Sequence, residues 1–260
     1  MSCGVIHMKL NRRLEILADN MSVAEGCRVL FSGIKRLSLY PELLIISILN
    51  LSDEKYRLIR LGGMLKVKCA GSLLASGIIQ DVSRETYSDG VRTNVGFSLG
   101  LDLWDNKVSL DVPRETLTSV TVEKILEASG TPWKLLSFPG EDPYYMCGQA
   151  FFGSAAECIE KAISSAQARA CLVNSGLVIS PKNPEKIEAY LTEEDLVNAP
   201  VFARDCVILS TIMVGWPIGR RLQLDYRGKI TDAVIVRQRF NADTGDGPWM
   251  TEIMAEVLNV

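Results

Sequence analysis

Side chains that could act as a nucleophile or a general base are few and scattered in this sequence. His7 is the single histidine, so any Ser-His-Asp or Cys-His arrangement would depend on this residue in an apolar N-terminal stretch. A cysteine nucleophile such as Cys147 or Cys171 is the enzymatic alternative, and one fast-reacting thiol would be its signature. Because nothing around either cysteine forms a catalytic motif, the sequence predicts a protein that is not an enzyme.

The sequence also contains no clear motif for binding a metal ion, a phosphate or a sugar. Asp243-Thr-Gly-Asp-Gly lacks the alternating ligands and the terminal Glu of a calcium loop, so it predicts a hairpin loop. The stretch Gly148-Gln-Ala-Phe-Phe-Gly is not a Walker A sequence, and Gly153-Ser154 is better explained as the entry to a helix. Glu193-Glu-Asp is typical of a solvated helical turn, not of a glycosidase pair. We therefore expect no catalytic residue, no cofactor and no metal ion.

Four arginines form the one basic cluster of the sequence: Arg220, Arg221, Arg237 and Arg239. Two interpretations stay open. Charged side chains often protect the edges of a sheet from pairing with other strands. On an exposed β-surface the same cluster would instead contact an acidic partner at a subunit interface.

Composition limits the class of protein. The chain has 260 residues, of which 47% are apolar and 23% charged, as in ordered globular proteins. A net charge of −3 disfavours a protein that reads DNA or RNA. The seven cysteines include no C-x-x-C pair, which suits a reducing cytoplasm. With no signal-peptide pattern and no apolar run long enough to span a bilayer, we expect a soluble chain with no membrane association.

The last third of the chain predicts an antiparallel meander. Residues 219–227 alternate apolar and polar side chains with a period of two, and Gly228-Lys229 is predicted to turn the chain. A strand over residues 230–240 is expected to present four side chains on one face: Val234, Val236, Gln238 and Phe240. After a loop rich in Gly and Asp, residues 249–257 alternate again from Trp249 onward.

The first third predicts a similar sheet. Strands are expected in residues 5–17, 26–36, 41–52 and 93–104, and Ser52 is expected to cap a short helical turn. Residues 62–84 share a plan with residues 219–239. In both, a Gly precedes an alternating strand, a Gly turn follows, and a second strand ends at an Arg-bearing edge. This is a weak internal repeat.

The middle of the chain differs in kind. A helix is predicted from Thr118 or Thr121, either of which would be the N-cap, to a stop at Gly130. A second helix begins with the capping box of Ser154 and Glu157. Its buried stripe is predicted to be Cys158, Ile159, Ala162 and Ile163. A hairpin over residues 170–181, turning at Asn174-Ser-Gly, follows it.

In order along nearly the whole chain, several segments resemble bacteriophage tail and baseplate hub proteins. These segments are residues 46–52, the strand Gly77-Ile-Ile-Gln-Asp-Val, the helix Thr121-Val-x-x-Ile-Leu, Phe152-Gly-Ser-Ala-Ala-Glu-Cys-Ile, the hairpin at 175–181, and Trp249-Met-Thr-Glu-Ile-Met-Ala. Two departures stand out. Arg237-Gln-Arg replaces a His-bearing strand end common in such proteins, and the chain is short, so we expect no appended lysozyme or spike domain.

The resemblance implies a mainly β protein with an α+β middle, in which two tube-like antiparallel β-barrels are joined by a short helical segment. The implied division is a first barrel in residues 1-112, a helical connection in 113-168 and a second barrel in 169-260. It further implies a homotrimeric hub in the tail baseplate of the virion, assembled in the host cytoplasm. Such a hub adapts a sixfold tail tube to a threefold spike.

The implied partners are the tail tube protein, the central spike and other baseplate subunits, with DNA passing through the lumen without specific binding. The four arginines listed above are the expected subunit-interface residues. The alternatives within the same class are a distal tail or tube-completion protein and the base of a contractile secretion spike. A cysteine-dependent enzyme and a carbohydrate-binding tail module are the alternatives from other classes.

Overall fold

A computed structural model describes residues 12–88, 90–173, 176–216 and 218–258. Strands predominate, which confirms the expected mainly β class. The N-terminal elements are β1 (Leu14–Ala18), β2 (Met21–Ser22), β3 (Val29–Arg36), β4 (Leu44–Leu49), α1 (Asp53–Tyr56), β5 (Met64–Cys69), β6 (Ser72–Tyr87) and β7 (Gly90–Ser98). As expected, the Ser52 side chain accepts a hydrogen bond from the Lys55 N–H and caps α1.

The remaining elements form a middle unit, residues 101–181, and a C-terminal sheet region. The middle elements are α2 (Leu101–Asp105), β8 (Lys107–Val112), α3 (Thr118–Ser129), β9 (Lys134–Ser137), β10 (Gln149–Ser154), α4 (Ala155–Ser164), β11 (Ala168–Val173) and β12 (Gly176–Pro181). The C-terminal elements are β13 (Ile187–Thr192), a 3₁₀ turn (Glu193–Asp195), β14 (Leu196–Phe202), β15 (Cys206–Ile212), β16 (Arg221–Tyr226), β17 (Lys229–Asp243) and β18 (Trp249–Val257).

Two regions share one strand topology. We call residues 14–98 the first module and residues 187–257 the second module. Among the described strands, the first module is ordered β1-β5-β6-β7-β4-β3, and the second is ordered β13-β16-β17-β18-β15-β14. Numbered along the chain within each module, with the two-residue β2 set aside, both orders read 1-4-5-6-3-2. The weak internal repeat of the sequence is thus a repeat of a whole sheet, although β1 pairs antiparallel with β5 and β13 pairs parallel with β16.

Matching hairpins mark the two modules. Cys69 pairs with Ser72 and Tyr226 pairs with Lys229, so each hairpin has a two-residue loop. Both residues of each loop have positive φ, with values of 49° and 80° in the first module and 54° and 75° in the second. Such loops match the right-handed twist of the strands and place Gly where φ is positive. The turn expected at Gly228-Lys229 therefore lies one residue earlier, and Lys229 already belongs to β17.

Each module also carries a bulge at the same point of its longest strand. The register shifts between Ile79 and Asp81 in β6, and between Ile235 and Arg237 in β17. A bulge inserts one residue and so reverses which side chains face the core. The expectation that residues 234–240 keep one alternating face was therefore wrong.

Three buried clusters result. One fills the first module, a second fills the middle unit and a third fills the second module. Ala233 and Ile235, before the bulge of β17, belong to the third cluster, whereas Phe240 and Ala242, after it, belong to the first. β17 therefore crosses from one module's core into the other's.

The two expected barrels are not confirmed. Thirteen of the described strands form one sheet, and this sheet does not close into a barrel within the described residues. The physical reason lies in β17, which pairs with β16 over its first half and with β3 over its second half. The modules are consequently joined edge to edge.

The middle unit confirms both predicted helices. α3 ends at Gly130, whose φ is 65°, but its N-cap is Leu117, so Thr118 and Thr121 lie inside the helix. Ser154 and Glu157 form the expected capping box of α4, and the predicted apolar stripe of that helix is buried. The strand expected to run to residue 104 ends at Ser98, because Gly100 takes a φ of 80° and α2 begins after it.

Candidate assembly surfaces

The join between the two modules is a backbone ladder. Residues 237–243 of β17 pair antiparallel with residues 30–36 of β3, from Arg237 opposite Arg36 to Asp243 opposite Leu30. Since β18 pairs with the other side of β17, the join lies inside the sheet. The two modules therefore form one continuous surface.

Two side-chain contacts reinforce the join. The rings of Phe31 and Phe240 stack with centroids 5.3 Å apart, and both side chains are fully buried. Arg28 donates hydrogen bonds to both carboxylate oxygens of Asp243, at 2.9 and 2.6 Å. These bonds hold the pKa of Asp243 below its ordinary value. The Arg28 contact crosses between the modules and so adds to the backbone ladder.

The loop after β17 is the hairpin loop that the sequence predicted. Asp243 lies at its start and also accepts a hydrogen bond from the Gly245 N–H at 2.8 Å. A Cβ on Gly247 would lie 2.4 Å from the Asp243 carboxylate, so glycine is required there. Because its oxygens are taken by Arg28 and by the loop backbone, Asp243 is a structural acceptor. In the part of the chain that the structure describes, no group of three His, Cys, Asp or Glu side chains could hold a metal ion.

The four arginines singled out in the sequence lie around the middle of β17, and three of them are paired within the chain. Arg220 binds Glu188 at 3.0 Å, Arg221 binds Asp232 at 2.8 Å, and Arg237 binds Glu252 at 3.6 Å. The hydrogen bond from Arg221 lowers the pKa of Asp232. Arg239 is exposed and lies opposite Glu252 in the β17–β18 register.

These positions argue against edge protection by the arginines. β16 has β13 on one side and β17 on the other, and around Arg237 and Arg239 β17 lies between β18 and β3. Neither strand is an edge, so the arginines do not guard one. Their assignment to a subunit interface stays a prediction.

Two other stretches are open edges that sequence reasoning missed. β14 ends the strand order of the second module, and among the described residues it pairs only with β15. It exposes Val197 (50%), Val201 (59%) and Phe202 (46%). Exposed apolar side chains on an unpaired edge mark a surface that another strand can cover. Pro200 could have indicated from the sequence that β14 is an edge strand, because proline within a sheet is confined to edges and bulges.

The second open edge lies at the end of β6. β5 pairs with β6 only over residues 72–78, and the side of residues 81–86 facing away from β7 has no backbone partner in the described chain. In β17 the corresponding stretch is the one that β3 covers. The chain thus contains one covered copy and one uncovered copy of the same edge.

Cys171, one of the two cysteines suggested for an enzyme, does not have the environment of an activated nucleophile. Cys171 is buried beside a cavity of about 300 Å³ where both modules meet the middle unit. Burial raises the pKa of its thiol, which disfavours the thiolate that a nucleophile needs. Lys35, which also lines the cavity, donates to the Leu74 carbonyl at 3.1 Å, and burial lowers its pKa. Cys147 is exposed, and His7 lies outside the described residues.

Two minor candidates have the structural roles predicted for them. Glu193, Glu194 and Asp195 form the 3₁₀ turn, where the Asp195 carboxylate accepts hydrogen bonds from the N–H and the hydroxyl of Thr192, the N-cap residue. Gly153 precedes the N-cap of α4. No helix within the described ranges is long and apolar enough to cross a membrane.

The solved structures that are similar to this chain include tail proteins. The chain is similar to a tail protein from Neisseria meningitidis, with a TM-score of 0.68 and 11% identity over 94% of this chain and 95% of that one. It is also similar to a 43 kDa tail protein of prophage MuSo2 from Shewanella oneidensis, with a TM-score of 0.67 and 12% identity over 93% and 97% of the two chains.

A third similar structure comes from a secretion machine. It is an E. coli component of the type VI secretion system, described as structurally similar to the phage T4 tail proteins gp27 and gp5. Its TM-score is 0.62, with 11% identity over 97% of this chain and 76% of that one. No protein-family model and no curated protein matches the sequence. At these identities the likeness defines a fold, so the chain has the phage tail protein fold, and the resemblance noted in the sequence is confirmed at that level.

Proposed function

We propose that this protein is a structural component of a phage-type tail and that it acts as the baseplate hub. In this role three copies form a ring that adapts a sixfold tail tube to a threefold spike and encloses the DNA channel. The observation that carries the proposal is the repeat of one sheet topology in residues 14–98 and 187–257. Three chains with two equivalent modules each present six similar units, which is what a sixfold partner requires.

The expected surroundings follow from this role. Its partners would be the tail tube protein, the central spike and other baseplate subunits, in the virion tail after assembly in the host cytoplasm. The likeness to tail proteins and to a type VI secretion component supports this setting. A net charge of −3 suits a lumen through which DNA passes without binding.

The two-barrel architecture belongs to the assembled state in this proposal. The open sheet of two joined modules would form one part of the wall, and neighbouring copies would complete it. The division into residues 1-112, 113-168 and 169-260 stays part of the proposal. Within the arginine cluster, Arg239 is the member whose exposed side chain is best placed to contact another subunit.

A distal tail or tube-completion protein is the second candidate, because the same fold could form a ring without binding a threefold spike. The decisive measurement is the solution mass of the full chain by light scattering, over a concentration series and with and without the spike protein. A trimer, or a monomer that trimerises when the spike is added, supports the hub. A sixfold ring that ignores the spike supports the second candidate. A monomer under all conditions overturns both.

A further inference from the structure

We propose that the cavity between the two modules and the middle unit binds a small molecule that joins one anionic head group to an apolar body. The cavity has a volume of about 300 Å³, at the lower end of the range typical of sites for small ligands. The inference does not depend on the hub role, because the site lies within one chain.

The cavity is the space left where the three buried clusters meet. Leu44 belongs to the cluster of the first module, Leu39 to that of the middle unit and Ile218 to that of the second module, and all three line the cavity. The other apolar side chains of its walls are Leu73, Ala75, Leu99, Leu172, Val173 and Trp216. An alkyl or aromatic group would therefore be removed from water on every side, which is favourable.

The charged side chains of the walls leave one positive charge unbalanced. They are two cations, Lys35 and Arg36, and one carboxylate, Glu42. Glu42 binds Arg36 at 3.0 Å, so these two charges compensate each other. The remaining charge is that of Lys35, and it makes the cavity complementary to an anion although the chain as a whole has a net charge of −3.

Lys35 also has hydrogen-bond donors to spare. Its ammonium group has three donors, and within the described residues the structure gives it one hydrogen bond, to the Leu74 carbonyl at 3.1 Å. Burial lowers the pKa of this amine, and no carboxylate of the described residues opposes the shift. A charge in apolar surroundings is costly unless it is paired. An anionic head group would accept the remaining N–H donors and supply the missing counter-charge.

The walls of the cavity are held in place before any ligand arrives. The fully buried Gln238 donates from its side-chain amide to the Trp216 carbonyl, and the Trp216 ring N–H donates to the Thr211 hydroxyl at 3.2 Å. On the other side, the Trp104 ring N–H donates to the Leu39 carbonyl at 2.7 Å. Because these bonds fix the segments that line the cavity, a ligand would lose little free energy to ordering its site.

Calorimetric titration of the full chain with three probes of equal alkyl length tests the ligand class. The probes are octanoate, octan-1-ol and octylammonium, each used below the concentration at which it forms micelles. We expect octanoate to bind, octan-1-ol to bind at least about tenfold more weakly and octylammonium to bind most weakly, because Lys35 attracts only the first head group. Octanoate should also raise the thermal unfolding midpoint, since it binds the folded chain alone.

Replacement of Lys35 tests the residue. Lys35→Met removes the ammonium group and keeps the apolar stem, so the affinity for octanoate should fall at least about tenfold while that for octan-1-ol changes less than about twofold. Lys35→Gln is a second variant with the same expected result, and it keeps a donor for the Leu74 carbonyl. The matched control is Lys182→Met, at an exposed lysine outside the cavity, which should leave both affinities unchanged.

Cys171 allows a measurement on the unchanged sequence. Its buried thiol lines the cavity, whereas Cys158 is equally buried within the core of the middle unit and does not line it. Saturating octanoate is expected to slow the alkylation of Cys171 several-fold more than that of Cys158, as followed by mass spectrometry of the peptides.

Each contrary outcome overturns the inference. Equal binding of octan-1-ol and octanoate would show an apolar gap with no site for an anion. Octanoate binding that is unchanged in Lys35→Met and Lys35→Gln, or equal protection of the two cysteines, would place the probe elsewhere on the protein. Failure of all three probes to bind would show that the cavity takes no such ligand. None of these results touches the proposed hub, which light scattering with and without the spike tests separately.

Discussion

The join at β3 and β17 and the open edges at β14 and β6 lie at corresponding places of the two modules, and they differ in how they are covered. At the join, the backbone ladder is accompanied by the buried Phe31–Phe240 stack and by the Arg28–Asp243 ion pair. At the open edges, the counterpart strand exposes Val201 and Phe202 to solvent.

The two modules repeat a strand topology, but the corresponding places in them contribute differently to the stability of the folded chain. The closed join contains residues that stabilise one folded chain by themselves. The open edges contain apolar residues that are exposed and take part in no join within the described chain. Mutations at the two places should therefore act on different quantities, which are the free energy of unfolding at the join and the dissociation constant of the assembly at the edges.

Phe240→Ala should have the largest effect on stability. The side chain is fully buried where the two modules meet, so truncation leaves a cavity and removes the stack with Phe31. We expect the free energy of unfolding to fall by about 3–5 kcal/mol, measured by urea denaturation of the monomer. Phe152→Ala, at a residue that is 70% exposed, is the matched control and should change it by less than about 0.5 kcal/mol. Equal effects of the two variants would show that the join is not a core.

Asp243→Asn should have the second largest effect. It removes a buried charge that Arg28 binds across the join, and we expect a loss of about 1–3 kcal/mol at pH 7. The control is Asp246→Asn, an exposed aspartate of the same loop, which should change stability by less than about 0.5 kcal/mol.

The same pair of variants predicts a pH dependence. The pKa of Asp243 is lowered in the folded state, so its contribution is fully present above the ordinary aspartate pKa of about 3.9 and is lost as the pH falls through the lowered value. The stability difference between wild type and Asp243→Asn should therefore shrink at acid pH, as followed by denaturation at a series of pH values. A difference that grows on acidification would contradict the proposed role of Arg28.

Gly71→Ala and Gly228→Ala test whether the two hairpins are equivalent. Both glycines have positive φ and open space around the position of a Cβ, so strain in the backbone is the only expected cost. We expect about 1 kcal/mol for each, and equal values within error. Gly140→Ala, which also has open space but no positive φ, should be nearly neutral. Thermal or urea unfolding of the three variants measures this, and a large inequality between the first two would break the correspondence of the modules.

Val201→Lys should have the smallest effect on the stability of a single chain. The side chain is 59% exposed, so the free energy of unfolding of the monomer should change by less than about 0.5 kcal/mol. The concentration needed for assembly should nevertheless rise at least about tenfold if another subunit covers this edge, because the contact would then have to bury a charge. Tyr190→Lys on the β13 edge is the control and should leave assembly unchanged. Sedimentation over a concentration series reads out both variants.

Several elements were predictable because their causes are local. The capping box of Ser154 and Glu157, the stop at Gly130 and the buried stripe of α4 depend on residues within one or two turns of helix. The alternation of β18 from Trp249 onward was equally visible, because a strand keeps its period of two where nothing interrupts it. The similar pattern of residues 62–84 and 219–239 was the local sign, in the sequence, that the two modules repeat one topology.

Other features could not be read from local patterns. The bulge beside Val236 leaves no mark in the sequence, since it depends on the register against β18, and it alone decides that Phe240 enters the first module's core. The pairing of β17 with β3 joins residues more than two hundred positions apart and replaces the two separate barrels that were expected. The arginines that looked like an interface from the sequence are mostly held by carboxylates of the same chain.

By itself, then, the sequence determined the mainly β class, the two main helices with the capping box of α4 and the stop of α3, and the likeness to phage tail proteins, because each rests on side chains that are neighbours along the chain. Tertiary structure alone decided which strand edges are covered and which are open. An edge is defined by the strand that does or does not lie beside it, and no periodicity in β14 or at the end of β6 carries that information.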